Sequence, residues 1–243
     1  MQRPAMYQSI IILDDFYADA MEIRKMALTL DYPDHGGKAY YPGRNSKQAL
    51  INQGIVDALS RIVGEPLSPS PRSAVGHFRV TFAHELPRQD IHIDPHRDWA
   101  GVVYLNLPEQ CFGRGGTSFW RHKRLGIEAM PRDQKEIERF GYRNYDEMRV
   151  ALAEGDGIDR AKWDLTMTVP MRFNRCILFR SWLWHSHCEN FGDTMETARL
   201  IQVFFFDIVR GPAKPKLPFE MPPAPKPTVS LPLPTAGVPP RRG

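Results

Sequence analysis

The sequence predicts a mainly β protein built on antiparallel sheets with flanking helices. Three observations carry this reading: the candidate helices come first in the chain, short β-type runs follow from Ala74 onward, and the two never alternate in the strand–helix–strand order that builds a parallel sheet. Residues 9–13 form the first predicted strand. In residues 18–30 the apolar positions Ala20, Met21, Ile23, Met26, Ala27 and Leu30 follow helical spacing, and residues 48–62 are a second helical candidate. Strands are then predicted at 74–83, 100–107, 118–121, 166–169, 176–180 and 199–208, where the runs are short and rich in β-branched and aromatic residues. Residues 123–162 are charged, with helical patterning at 132–140 and 144–154, so this stretch reads as an insertion between two strands, either a substrate-facing cap or a surface decoration.

A chain of 243 residues with 42% hydrophobic and 25% charged residues has the composition of one ordinary globular domain. The predicted domain spans residues 1–210, followed by a tail at 211–243 that holds 11 of the 22 prolines. That composition favours extended, polyproline-like chain. The formal charge of +4 lies in the tail, where Lys214, Lys216, Lys226, Arg241 and Arg242 face only Glu220. The body is therefore neutral, which argues against a nucleic-acid surface on it. No run approaches the roughly 18 apolar residues of a membrane span, and the N-terminus lacks the apolar core of a signal peptide, so a cytoplasmic protein with no membrane partner is expected. Cys111, Cys176 and Cys188 are widely spaced, so neither a disulfide framework nor a cysteine zinc site is encoded.

The chemistry concentrates in histidines that sit where β-type runs end: His92 in QDIHIDPHRDW, and His185 and His187 in WLWHSHCEN. In extended chain residues i and i+2 point the same way, so His92 and Asp94 can reach one metal ion. A second histidine from a distant strand completes a facial arrangement that leaves open positions for a chelating oxo-acid and O2. Two ambiguities accompany this set. His96 and Asp98 form a second His-x-Asp, and His187 shares a side with His185. A zinc site made of His185, His187, Cys188 and His92 is the rival metal reading, although paired cysteines are the usual structural signature.

These motifs occur in order: HIDPHRDWAGVVYLN, GRGGTSF, NRCILFRSWLWHSH and ETARLIQVFFF. As a set, covering roughly residues 78–206, they resemble the 2-oxoglutarate and Fe(II)-dependent oxygenases, in particular the prolyl-hydroxylase-like branch and its small bacterial members. The N-terminal ILDDFYADAMEIRKMAL and YYPGR also resemble the leading segment of those bacterial proteins. The resemblance implies a double-stranded β-helix, or jelly roll, of the cupin-like type with helices on one outer face. It implies His92, Asp94 and His185 as iron ligands, preferred over His96/Asp98 and His187 on spacing to the YLN strand and to Arg199. It further implies that Arg199 pairs with the distal carboxylate of 2-oxoglutarate, assisted by Tyr104 and Thr117. The implied reaction consumes O2 and 2-oxoglutarate, releases succinate and CO2, and oxidises an amino acid, a peptide or another small metabolite. Retention of Asp94 sets the expectation of hydroxylation, desaturation or cyclisation and excludes halogenation, which needs that metal position vacant. Arg44, Arg97, Trp99, Arg121, His122 and Arg180 are the candidates for lining a substrate pocket. A cupin-like metal protein or isomerase without 2-oxoglutarate turnover is the alternative, and an adaptor acting through the Pro-rich tail is a third.

Overall fold

The structure, a computed structural model, describes residues 7–34, 42–85 and 89–211. Tyr40 and Tyr41 of the YYPGR motif and the Pro-rich tail from residue 212 lie outside the described residues. In chain order the elements are β1 (Ile10–Leu13), α1 (Ala20–Thr29), β2 (Arg44–Ala49), α2 (Gln53–Val63), β3 (Leu67–Pro69), β4 (His77–Thr81), β5 (Trp99–Tyr104), α3 (Pro108–Cys111), β6 (Thr117–His122), α4 (Gln134–Arg139), α5 (Tyr145–Val150), β7 (Trp163–Val169), β8 (Cys176–Arg180), β9 (His185–His187) and β10 (Arg199–Ile208). None of the helices is long and apolar enough to cross a membrane.

The strands form two antiparallel sheets. The larger runs β1-β8-β5-β10-β4-β2, with β3 paired to the far end of β10, and the smaller runs β7-β6-β9. On the free side of β9 the chain at His92 pairs with His185, which extends the small sheet by one bridge. Following the chain, β4 lies in the large sheet, His92 in the small one, β5 in the large, β6 and β7 in the small, β8 in the large, β9 in the small and β10 in the large. That alternation is the winding of a double-stranded β-helix, so the fold is a mainly β jelly roll.

The two-residue period of the strands decides what each face buries. Trp99, Val103, Cys176, Leu178, Leu200, Phe204 and Phe206 point outward from the large sheet and pack with Ala27 of α1 and Val56, Leu59 and Val63 of α2. Their neighbours Ala100, Tyr104, Ile177, Phe179, Ile201 and Val203 point inward between the sheets. Buried Arg24 anchors α1 by donating to the carbonyls of Leu105 and Glu196, both at 2.7 Å. Residues 123–162 supply a third layer. Met130, Ile137, Met148 and Leu152 cover the outer face of the small sheet, together with Ile91, Ile93, Trp120 and Trp184. Helices therefore cover both outer faces, where the sequence resemblance implied one.

Three strands escaped the sequence reading. β2 reads RNSKQA, with no apolar alternation, and it exists because the edge of β4 offers hydrogen bonds to it. β3 and β9 have three residues each, too few for a period to register. The helix predicted at 48–62 begins at Gln53 instead, because Asn52 caps it by accepting from the Ile55 amide at 3.0 Å, and residues 48–49 belong to β2.

Candidate metal centre

Ile91 and Ile93 are 0% and 2% exposed because they plug into the layer built by the insertion. Alternation then forces His92 and Asp94 to the opposite side, into the space between the sheets. The same logic holds on β9, where Trp184 and Ser186 face outward and are wholly buried, leaving His185 and His187 to face inward. His92 and His185 face each other as an antiparallel pair and exchange both backbone hydrogen bonds at 2.9 Å. Their rings stand 4.4 Å apart between centroids. One ligand atom from each of His92, Asp94 and His185 lies within 4.8 Å of the others.

Both rings are oriented from behind. His92 Nδ1 lies 2.7 Å from the Asp90 carbonyl and His185 Nδ1 lies 2.9 Å from the Leu183 carbonyl. A carbonyl oxygen only accepts, so each Nδ1 carries the proton and each Nε2 is left as the ligand atom. Asp94 stands 3.4 Å from His185 Nε2. A carboxylate facing two imidazole lone pairs calls for a cation or a proton between them, and three protein ligands of this type with an open side suit a divalent metal. Burial, then the neighbouring His185, push the His92 imidazole down to about 4, so the ring stays neutral. Burial works against the charge on Asp94, but in the metal-free protein a proton between its carboxylate and His185 Nε2 makes a hydrogen bond and an attraction that outweigh burial and hold the carboxyl below its usual range.

The competing candidates lie elsewhere. His96 is exposed at φ +61° with its ring near Tyr145, and the buried Asp98 carboxylate is occupied by the Ile208 amide at 2.8 Å and Arg210 at 2.7 Å. The second His-x-Asp is thus a structural clasp on the end of β10. His187 faces the same cavity but sits two register pairs further along β9, opposite Thr117, and does not join the three-residue group. Cys188 bonds Ser118 and also stays out of it, so a zinc site of the His185–Cys188 cluster does not assemble.

A cavity of about 360 Å³ opens beside the group. Arg199, at the head of β10, is 4% exposed, and its Nε donates to the Gly115 carbonyl at 2.7 Å. Gly115 has φ +70°, and a Cβ there would come within 2.5 Å of Phe191, so only glycine lets the turn approach this closely. No carboxylate pairs with Arg199 among the described residues, although its side chain forms part of the cavity wall. Thr117 lines the cavity too, and Tyr104 sits behind it, its hydroxyl 2.8 Å from Thr117 Oγ1. Burial raises the Tyr104 phenol and lowers the Arg199 guanidinium.

Of the six residues expected to meet substrate, only Arg97 reaches this cavity. Trp99 and Arg180 belong to a buried cluster with Glu65, Arg121 pairs with Glu128, Arg44 with Asp34, and His122 with Asp156. Residues 123–162 contribute nothing to its lining, so the insertion is a backing layer and not a cap over the site. Arg72, Arg79 and Asn190 line the cavity without having been singled out from sequence. Arg79 was within reach, because buried Phe78 and Val80 on β4 put it on the inward face.

Fold and site together define a jelly-roll protein with a His–Asp–His group inside the barrel. The chain belongs to the DUF6445 family, a family of unknown function, whose model matches residues 2–205. No curated protein matches the sequence. Among solved structures, HygX from Streptomyces hygroscopicus with nickel and 2-oxoglutarate bound aligns at a TM-score of 0.48 and 10% identity, covering 83% of this chain and 84% of that one. EvdMO1 aligns at 0.46 and 17% identity, covering 85% of this chain and 48% of that one. AviO1 from Streptomyces viridochromogenes Tue57 aligns at 0.42 and 14% identity, with 86% and 94% covered.

Proposed function

We propose that this chain is a non-haem Fe(II) oxygenase that uses 2-oxoglutarate, with His92, Asp94 and His185 as its metal ligands. The observation that carries the reading is the pairing, in one cavity, of a His–Asp–His group with a buried arginine that has no carboxylate partner among the described residues. Two neutral imidazoles and one carboxylate leave a bound Fe(II) with a net positive charge and open positions. A buried guanidinium is stable only when its donors find an anion or other acceptors, and a carboxylate matches its planar fork. Arg199 therefore holds the distal carboxylate of 2-oxoglutarate, with Thr117 beside it and Tyr104 keeping Thr117 in place. When bound, Fe(II), 2-oxoglutarate and O2 supply the two-electron oxidation that converts a substrate C–H to C–OH and releases succinate and CO2. The apolar inner face of Ile201, Val203 and Phe205 keeps water from the site and leaves room for a small-molecule or peptide substrate.

Anaerobic protein given Fe(II) and 2-oxoglutarate is expected to show the weak visible charge-transfer band of the chelate. His92→Ala or Asp94→Ala should abolish it. Arg199→Ala should weaken 2-oxoglutarate binding by roughly ten- to a hundred-fold, the worth of a charge-assisted hydrogen bond, with iron affinity kept. A band that survives both ligand changes, or an unaltered 2-oxoglutarate affinity in Arg199→Ala, defeats the assignment.

A further inference from the structure

The cavity is strongly basic at both ends and has one acid. Arg72, Arg79, Arg97 and Arg199 all line it, and Asp94 is the single carboxylate among its described lining residues. Residues Arg199, Ile201, Val203 and Phe205 of β10 project into it in turn. Six residues of strand separate Arg199 from Phe205, roughly 20 Å of backbone. Arg199 thus marks one end. Arg97 marks the other, its guanidinium 5.4 Å from the centre of the Phe205 ring.

Arg72 joins Arg97 at that end. Its loop is tied to β10, with the Ser70 amide donating to the Phe205 carbonyl at 2.9 Å and the Ser70 hydroxyl to Asp207 at 2.8 Å. Arg72 itself sits at φ +55°, a left-handed conformation that strains any side chain other than glycine. It is exposed, Arg97 is half-buried, and neither forms an ion pair with a carboxylate among the described residues. Arg97 spends one donor on the Pro95 carbonyl at 2.8 Å. Between the two ends the floor is apolar, made by Val102, Val203 and Phe205.

We propose that Arg72 and Arg97 form a substrate subsite for an oxyanion, a carboxylate or a phosphate monoester, so that the substrate is a small organic anion held beside the His–Asp–His group with its hydrocarbon part on the apolar floor. This rests on the oxygenase reading above, in which Arg199 is already taken by 2-oxoglutarate. Two guanidinium groups from separate loops line one end of the cavity, where Asp94, committed to the metal, is the one carboxylate among the described lining residues, and they select against neutral and cationic substrates.

The test uses full-length protein loaded with Ni(II) and saturating 2-oxoglutarate, which occupies Arg199. Hexanoate, hexyl phosphate and hexanol are titrated by calorimetry. At least one of the two anions is expected to bind about ten-fold or more tightly than hexanol, and the two anions distinguish carboxylate from phosphate recognition. The double variant Arg72→Gly/Arg97→Met relieves the strained turn and keeps the packing on Phe205. It should lose that preference while retaining wild-type affinity for 2-oxoglutarate. Hexanol binding as tightly as both anions, no measurable binding of any probe, or a preference that survives in the double variant overturns the subsite. Protein that takes up no 2-oxoglutarate, yet prefers the anions through Arg72 and Arg97, would overturn the oxygenase reading and leave the subsite standing.

Discussion

His92 and His187 are held neutral because they are buried, and that fixes how the metal-free protein responds to acid. His92 is pushed down to about 4 and His187 to about 3, against an ordinary value of 6.5. Burial dominates both shifts, with His185 as the next cause for His92 and Arg199 for His187. The unfolded chain binds protons at these positions first as pH falls, so their contribution to stability is full above about 6.5 and is lost progressively towards the folded values. The melting temperature of metal-free protein should therefore fall between pH 7.5 and pH 5, before most carboxylates titrate, and His187→Gln should flatten the decline. A melting temperature constant over that interval in wild type would show that these rings are not held neutral. At this scale His92 and Asp94 were legible, because a two-residue period needs no tertiary information. Arg72 was not, since nothing in SPSPRSA marks a left-handed turn beside β10.

At the scale of elements, the insertion at 123–162 buttresses the strand that carries His92. The Gly157 carbonyl accepts from the Ile91 amide at 2.9 Å, and a Cβ on Gly157 would come within 2.3 Å of the Ile91 oxygen. The Ile91 and Gly157 backbones therefore meet at van der Waals limits. Gly157 follows a π-helical turn at Ala151–Asp156, and Asp156 is bonded to His122 of β6 at 3.0 Å. Arg160 then grips Asp90 at 2.5 Å, and the carbonyl of Asp90 orients His92. Loss of a group one step behind a metal ligand weakens metal binding without removing a ligand. Arg160→Ala should lower metal affinity by about three- to ten-fold in a competition titration, with little change in melting temperature because the Arg160 side chain is half exposed. Unchanged affinity would reduce the insertion to a cover for the small sheet. The helical stretches here were readable from their patterning, but which sheet they cover depends on which apolar faces meet.

For the molecule as a whole, every residue assigned to the metal, to 2-oxoglutarate or to the anionic substrate lies between Arg72 and Phe205. A chain truncated after Gly211 keeps Arg210 on Asp98 and removes the Pro-rich basic tail. It is expected to bind Fe(II) and 2-oxoglutarate as the full chain does, measured by the same charge-transfer band. Loss of the band on truncation would make the tail part of the catalytic unit. The sequence alone determined the chemical vocabulary: antiparallel strands, a His-x-Asp in extended chain, a distal histidine and a later arginine, all set by local periodicity and spacing. Only the tertiary structure decided which His-x-Asp faces the barrel, that His185 and not His187 completes the group, and that the insertion stands behind the site and not over it. Those outcomes depend on strand register and on which side of a sheet is covered. Both are set by contacts between residues far apart in the chain, such as His92 with His185 and Ile91 with Gly157, which no local pattern records.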